Sequence, residues 1–241
     1  MNLLAEMSWE EVNEYLERDN RVILPLGATE QHGRHLGLGT DFIEAEAIAR
    51  GAGERSHVAV APTMNFGMSH ALLGFPGTLS LRPTTLIAVL EDLFRSLYRP
   101  GFRRVLVVNG HGGNTAALSS ALHLVAEDLP DLRAKTFEWW TDQESYRVVI
   151  EMLGPQVGSH ASPGETAFML AVQPSAVKME RLTGHDAPVQ PSRDLTTMQT
   201  FAQKYPDGIM GLDPHSATRE AGAALLAKCV EICARELEEW K

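Results

Sequence analysis

Short apolar runs rich in β-branched residues alternate along this chain with longer stretches of helical periodicity. Four such runs predict buried strands, at Arg21–Leu26 and at residues 58–61, 104–108 and 133–139. Amphipathic helices are predicted over residues 8–17, 42–54, 84–98, 115–128, 166–172 and 217–240. Because strands that alternate with helices usually pair in parallel, the pattern predicts a layered α/β fold with a mostly parallel sheet.

The size of the chain and its cysteines bound the domain organisation. A chain of 241 residues lies at the upper end of the single-domain range, and it shows no internal repeat or linker. We therefore predict one domain over residues 1–241. The two cysteines, Cys229 and Cys233, stand one helical turn apart with no second pair nearby, so we expect buried structural thiols.

The charge balance excludes some classes of partner. The chain has 31 acidic and 21 basic residues, a net charge of −10, which argues against nucleic acid and against a polybasic membrane surface. No apolar run approaches the roughly 18 residues of a membrane span, and the first residues carry acids rather than the basic start of a signal peptide. We expect a soluble, cytoplasmic protein without nucleic-acid or membrane partners.

Three loops that follow predicted strands concentrate His, Asp, Glu and Gly. Glu30 and His32 come directly after the first strand, and Asp41 stands at the start of the next helix. His111 lies between glycines after the third strand, and Glu165 lies in the third loop, at 159–165. Each residue alone has a structural explanation: Asp41 suits a helix N-cap, Glu165 suits the first turn of a helix, and a lone histidine is more often a hydrogen-bonding partner.

Together these five side chains predict a metal site. In open parallel sheets, functional loops gather at the carboxyl ends of the strands. Three carboxylates and two imidazoles exceed the ligands of one catalytic zinc, but they suit two metals that share a bridging carboxylate and activate water. The chain has no P-loop and no G-x-S-x-G motif, so metal-assisted hydrolysis is the leading interpretation.

Five blocks in this order, ATEQHGRHLGLGTD, FPGTLSL, VNGHGGN, HASPGETAFML and GLDPHSATREAG, resemble the creatininase family of metal-dependent amidohydrolases. The resemblance covers residues 8–235. It implies an α/β three-layer sandwich with a mostly parallel central sheet flanked by helices, hydrolysis of a C–N amide bond, and a homo-oligomer, typically a hexamer. It also implies a binuclear site for Zn²⁺ or Mn²⁺, with Fe²⁺ as a further option.

The resemblance assigns roles to single residues. One metal would be bound by Glu30, Asp41 and His111, and the second by His32, Asp41 and Glu165, so that Asp41 bridges them. His160 would be the catalytic residue, which stabilises the tetrahedral oxyanion or passes a proton to the leaving nitrogen after attack by a metal-bridged hydroxide. His35 would orient a ligand. Positions that would face the substrate are Ser69, His70, Gly112, Gly113, Trp139 and Trp140.

Several of these assignments have plain alternatives. His160 suits a structural hydrogen bond, Ser69 and His70 suit a surface turn, and Trp139 and Trp140 suit buried core positions. The protein as a whole has alternatives too: a metal-binding family member without catalysis, or a metallophosphoesterase or deacetylase on a similar scaffold.

The substrate stays open among the branches of the family. Members that hydrolyse creatinine carry Tyr and Glu directly after the histidine of the NGH motif, where this chain has Gly112 and Gly113. The GHGGN form is similar to branches that cleave a peptide from a cofactor precursor or remove formyl from a nucleotide. We therefore expect a small-molecule amide or a peptide as substrate, with creatinine itself as an alternative.

Overall fold

One parallel sheet forms the centre of the protein. The computed structural model describes residues 1–154, 160–182 and 197–240, so residue 159 of the third loop lies outside the described residues. Within these ranges the sheet has four strands in the order β2, β1, β3, β4, all parallel. The strands are β1 (Arg21–Leu26), β2 (Ala59–Val60), β3 (Arg104–Asn109) and β4 (Arg133–Phe137).

Helices cover both faces of this sheet. The described α-helices are α1 (Trp9–Leu16), α2 (Thr40–Ser56), α3 (Pro83–Tyr98), α4 (Thr115–Asp128), α5 (Gln143–Leu153), α6 (Pro163–Val172), α7 (Met198–Lys204) and α8 (Arg219–Glu238). Helices α1, α3 and α4 share one hydrophobic core with the sheet, and α2, α5, α6 and α8 share the other. This arrangement confirms the predicted three-layer α/β sandwich.

The sequence of β1 shows why both faces are covered. All six of its residues are buried. Val22 and Leu24 point into the core with α1, α3 and α4, whereas Ile23 points into the core with α2 and α8, as the two-residue period of a strand requires. Burial of each such side chain stabilises the fold by roughly 1.5–3 kcal/mol. Cys229 and Cys233 are free and buried in the second core, as expected.

Two strands are shorter than the sequence pattern predicts. β2 has two residues instead of four, because the amide of Val58 donates to Gly53 at the end of α2 rather than to the sheet. β4 ends at Phe137, because Glu138 starts a turn and its carbonyl accepts from the amides of Thr141 and Asp142. Trp139 and Trp140 therefore lie in a turn beyond the strand.

Helices α5 and α7 have no counterpart in the prediction. The N-cap of α5 is Asp142, whose carboxylate accepts from the amides of Glu144 and Ser145. An Asp two residues before an acidic helical turn is a recognisable start signal, so this helix was detectable. As a result, the third loop follows a helix rather than a strand.

The topology places a crevice between β1 and β3. The chain leaves β1 toward β2 on one side and returns to form β3 on the other, so the loops after these two neighbouring strands diverge. Ligands of open α/β sheets bind at such a switch point, outside the carboxyl ends of the strands. Among the described residues, no helix is both long and apolar enough to cross a membrane.

Candidate metal centre

Asp41 lies at the centre of the cluster at this crevice. One carboxylate oxygen, Oδ1, is 2.9 Å from Nε2 of His32, and the other, Oδ2, is 3.2 Å from Nδ1 of His111. Helix α2 is capped by Gly39 without a side-chain hydrogen bond, and Asp41 belongs to the first turn of the helix. An N-cap role therefore does not explain Asp41, whose two oxygens face two different loops.

The remaining carboxylates complete two groups of three around Asp41. Glu30 Oε2 is 3.4 Å from His111 Nε2, and Glu165 Oε1 is 3.5 Å from His32 Nε2. Within each group, the potential ligand atoms all lie within 4.8 Å of one another. The groups that contain Asp41 are Glu30, Asp41, His111 and His32, Asp41, Glu165, the same division that the family resemblance implies. A third group without Asp41, formed by Glu30, His32 and His160, meets the same distance.

Glycines allow the first turn of α2 to reach this place. A Cβ atom at Gly110 would collide with the carbonyl oxygen of Asp41, and one at Gly27 would collide with the backbone of Phe42. Because a glycine without a side chain follows each strand, the backbone of α2 packs directly against both positions. This close approach sets Asp41 between the loops after β1 and β3.

Hydrogen bonds at the back of each imidazole select the nitrogen that faces the cluster. His32 Nδ1 is 3.2 Å from the carbonyl of Glu30, which leaves Nε2 toward Asp41 and Glu165. His111 Nε2 is 3.0 Å from the carbonyl of Met68, a shorter distance than the 3.4 Å to Glu30 Oε2, and Nδ1 is the nitrogen toward Asp41. Metal-binding histidines commonly donate their second N–H to such a carbonyl, which fixes the tautomer.

The carboxylate of Glu165 is held by its own helix. Ser162 and Glu165 form a capping box at the start of α6: the amide of Glu165 donates to Ser162 Oγ, and the amide of Ser162 donates to Glu165 Oε2 at 2.7 Å. The other oxygen, Oε1, faces His32. The first-turn role and the site role of Glu165 are therefore combined in one side chain.

The electrostatics of the cluster suit a cation. Burial lowers the pKa of both ligand histidines, but the carboxylates outweigh it: the pKa of His111 is raised to about 9 by Glu30 and Asp41, and that of His32 well above its ordinary value. Burial opposes ionisation of Asp41 as well, yet the two imidazoles hold its pKa well below the usual range. Burial raises the pKa of Glu30 to about 7.

Buried atoms without hydrogen bonds identify the same position. Glu30 Oε2, His32 Nε2 and Asp41 Oδ2 are fully buried and have no hydrogen-bond partner among the residues that the structure describes, although opposite charges lie close to them. Unpartnered buried polar atoms are costly and call for a ligand or ion. Imidazole nitrogens and carboxylate oxygens are donors for Zn²⁺ and Mn²⁺, so the residues fit divalent cations in place of the histidine protons.

His160 borders this cluster. Its Nδ1 is 3.5 Å from Glu30 Oε1, and its ring centroid is 4.4 Å from that of His32. Burial and the neighbouring His32 lower the pKa of His160 to about 4, so its imidazole is neutral near pH 7. The next residue, Ala161, has a φ of 52°, a left-handed conformation that is strained for a residue other than glycine and is common at functional sites.

Comparison with known proteins decides the family. The family model described as "Creatininase: Creatinine amidohydrolase" matches residues 5–237. The chain belongs to the creatininase family. This creatininase-family protein is therefore a hydrolase, an amidohydrolase in the terms of that family.

Two relatives with different substrates resemble it. A creatinine amidohydrolase from Pseudomonas putida is 29% identical in an alignment of 252 residues, gaps included, that covers 98% of this chain and 96% of the relative. A mycofactocin precursor peptide peptidase from Mycolicibacterium smegmatis is 32% identical over 227 residues, which cover 91% and 85%.

Solved structures of creatininases match the creatininase-family protein along its length. A mutant creatininase described as "Zn-Zn type" and a structure described as "Creatininase Mn" each align with a TM-score of 0.88 and 27% identity, and each match covers 98% of this chain and 97% of the other. These zinc and manganese forms, together with the donor groups described above, support binding of a divalent metal.

A network of amides holds the NGHGGN loop of the creatininase-family protein. Asn109 Nδ2 donates to the carbonyl of His111 and, at 2.7 Å, to Glu138 Oε1. Asn114 Nδ2 donates to the carbonyl of Gly27, and its Oδ1 accepts from the amide of Met68. Sequence analysis missed the roles of these three polar residues, because Glu138 lies on a distant segment and the side chains of the two asparagines bond mainly to backbone groups, which leave no pattern in the sequence.

Glu44 is a further carboxyl group that sequence analysis missed. It follows Asp41 by about one helical turn, is 1% exposed, and its Oε2 accepts from the indole nitrogen of Trp139 at 3.1 Å. Burial raises its pKa well above the ordinary value, and Glu165 and Asp41 add to this shift. The helical spacing from Asp41 was the signal that could have indicated it.

The residues expected near the substrate lie in different environments. Trp139 is buried in the core beside α2 and α8, whereas Trp140 is partly exposed and contacts Trp139 edge-on.

The other positions lie on separate loops. Ser69 is buried and His70 is exposed on the segment that follows Met68. Gly112 is exposed, and Gly113 lies against His111. His35 bonds to Thr166 on α6, at 2.9 Å, next to Glu165. Contact with a substrate stays a prediction for the tryptophans, Ser69, His70 and the two glycines, and orientation of a ligand stays a prediction for His35.

Proposed function

We propose that this protein hydrolyses a C–N amide bond with two divalent metals, one held by Glu30, Asp41 and His111 and one by His32, Asp41 and Glu165. The observation that carries this proposal is the position of Asp41, with one carboxylate oxygen toward each histidine. A single-metal site would not need a second imidazole and a second carboxylate on the far side of the same aspartate.

In this proposal, different side chains bind the metals and transfer the proton. When bound, divalent cations would polarise a carbonyl group and lower the pKa of water. Glu30, Asp41 and Glu165 would supply the negative charge that holds the cations. In the neutral imidazoles, the backbone carbonyls behind His32 and His111 favour a proton on the nitrogen that faces them, which leaves the other nitrogen to bind the metal. His160, neutral and next to Glu30, is the group that accepts a proton and delivers it to the leaving nitrogen.

The substrate we propose is an amide other than creatinine, a peptide or a small molecule. In creatinine-hydrolysing members an acid occupies the position of Gly113. Here a Cβ atom at Gly113 would collide with His111 Nε2 and with the carbonyl of Met68, so this backbone conformation leaves no space for an acidic side chain at that position. Gly112 is exposed and open toward Trp140, which leaves room for a larger group. The peptidase relative acts on a peptide, which agrees with this room.

Metal removal combined with a substrate panel tests the proposal. The protein is chelated exhaustively, reloaded with Zn²⁺ or Mn²⁺, and assayed on short peptides, formamides, creatinine and a phosphoester. We expect amide hydrolysis that is lost on chelation, by at least ~10²-fold, and regained on reloading. Full activity of the metal-free protein would contradict the mechanism, and creatinine as the preferred substrate would contradict the interpretation of Gly113.

A further inference from the structure

Gln31 lies between two proposed ligands, yet it belongs to neither metal group. It is 5% exposed, and its backbone carbonyl and its side-chain amide both meet His160. The carbonyl oxygen is 2.8 Å from His160 Nε2, and the amide nitrogen is 3.0 Å from the same atom. One residue therefore presents two groups to one imidazole nitrogen.

The orientation of the Gln31 amide is fixed by its other contacts. Its Oε1 accepts from the amide of Gly33 at 2.8 Å, and its Nε2 donates to the carbonyl of Gly208 at 3.0 Å. Exchange of the oxygen and the nitrogen would place donor against donor and acceptor against acceptor. The second N–H of the Gln31 amide is therefore directed at His160 Nε2.

These two contacts make opposite demands on His160. The Gln31 carbonyl can only accept, so it favours the tautomer with a proton on Nε2, whereas the Gln31 amide can only donate, so it favours the tautomer with the proton on Nδ1. In either tautomer Nε2 has a partner on Gln31. The other nitrogen, Nδ1, faces the metal cluster beside Glu30 Oε1.

We propose that Gln31 is a positioning residue that balances the two tautomers of His160 and leaves Nδ1 as the nitrogen that exchanges protons with the substrate. The second part of this statement rests on the proposed function. With the proton on Nε2, Nδ1 accepts a proton from the attacking water and then donates the same proton to the leaving nitrogen, which returns His160 to its starting state. With the proton on Nδ1, the same nitrogen donates a hydrogen bond to a developing oxyanion.

Nitrogen NMR of the zinc-loaded protein tests the balance directly. Protein with ¹⁵N-labelled histidine rings is compared as wild type and as Gln31→Met, and His160→Asn assigns the His160 signals. Because Gln31→Met removes the donor but keeps the backbone carbonyl, we expect the His160 Nδ1 signal to move toward an unprotonated nitrogen and the Nε2 signal toward a protonated one. The matched control is Gln173→Met, which changes an exposed glutamine and should leave the signals unchanged.

A second variant covers the case in which Gln31→Met does not fold. Gln31→Glu keeps the size of the side chain and the acceptor for Gly33, but replaces the amide donor by an oxygen, so the same shift of the His160 signals is expected. Unchanged His160 signals in a folded variant, or a proton on Nδ1 in every variant, would overturn the proposal.

Kinetics give an independent measure if the panel yields a substrate. Gln31→Met should then lower kcat at least tenfold with KM and zinc content unchanged, and should have no further effect in the His160→Asn background. An equal loss in both backgrounds would contradict a role through His160. The NMR result does not require turnover, so failure of the proposed function and failure of this inference are distinguishable.

Discussion

Asp41 shows how a residue can serve two groups of ligands because of where its helix begins. The first turn of α2 packs against the glycine ends of two strands, and this places one carboxylate between histidines from separate loops. The alternation of strands and helices predicted those loops to lie together. The spacing of residues could not predict that Asp41 would point between them, because this depends on a backbone contact over 69 positions of chain, from Asp41 to Gly110.

At the residue scale, Glu165→Gln should lower the occupancy of one proposed metal site more than that of the other. The amide keeps an oxygen for the capping box with Ser162 but binds a cation weakly, so the metal beside His32 should be lost more than the metal beside His111. Metal analysis of the purified variant measures this, with Glu151→Gln on the exposed face of α5 as the control. Equal loss of both metals would contradict the assignment of ligands.

The raised pKa values of His32 and His111 predict that metal binding releases protons. Below about pH 9 the metal-free His111 carries an extra proton, the raised pKa of His32 favours an extra proton on that ring too, and both imidazoles must be neutral to bind a cation. The apparent affinity should therefore increase as the pH rises toward 9, with protons released near pH 7 from His111, His32 and the partly protonated Glu30. Calorimetry in buffers of different ionisation enthalpy measures the number, and release of no protons would contradict these pKa values.

At the scale of elements, the loop between β3 and α4 contains a pair of glycines with different requirements. Gly113→Ala should destabilise the protein by about 1–3 kcal/mol, because the new Cβ atom meets His111 and the carbonyl of Met68. Gly112→Ala is the matched control: its Cβ would make only an ordinary van der Waals contact with Trp140, at 4.0 Å, so the free energy of unfolding should change by no more than about 0.5 kcal/mol. Urea unfolding of both variants measures the difference, and equal values would contradict the closed position at Gly113.

The elements that the sequence predicted well are those whose signals are local. Helix α1 begins at the capping box of Ser8 and Glu11, and β1 is a continuous apolar run, so both were predicted with near-correct bounds. The lengths of β2 and β4 were wrong, because hydrogen bonds of Val58 and Glu138 to neighbouring turns end these strands. These bonds join residues only three to five positions apart, but the period of apolar residues carries no signal for them.

On the scale of the whole molecule, the parallel sheet explains why the site residues come from distant parts of the chain. The loops after β1 and β3 flank the crevice at the switch point, and α6, which packs against α2, adds Glu165. The family resemblance predicted the ligand groups, which the structure brings together. The supporting residues Glu138, Asn114 and Gln31 were not predicted, because each acts through backbone atoms or through a second side chain.

The direct test of a two-metal centre is anomalous X-ray diffraction from crystals of the zinc-loaded protein. We expect two anomalous peaks per chain, one against Glu30 and His111 and the other against His32 and Glu165, with both in contact with Asp41. A single peak per chain at full zinc loading, or two peaks that do not share Asp41, would contradict the binuclear site.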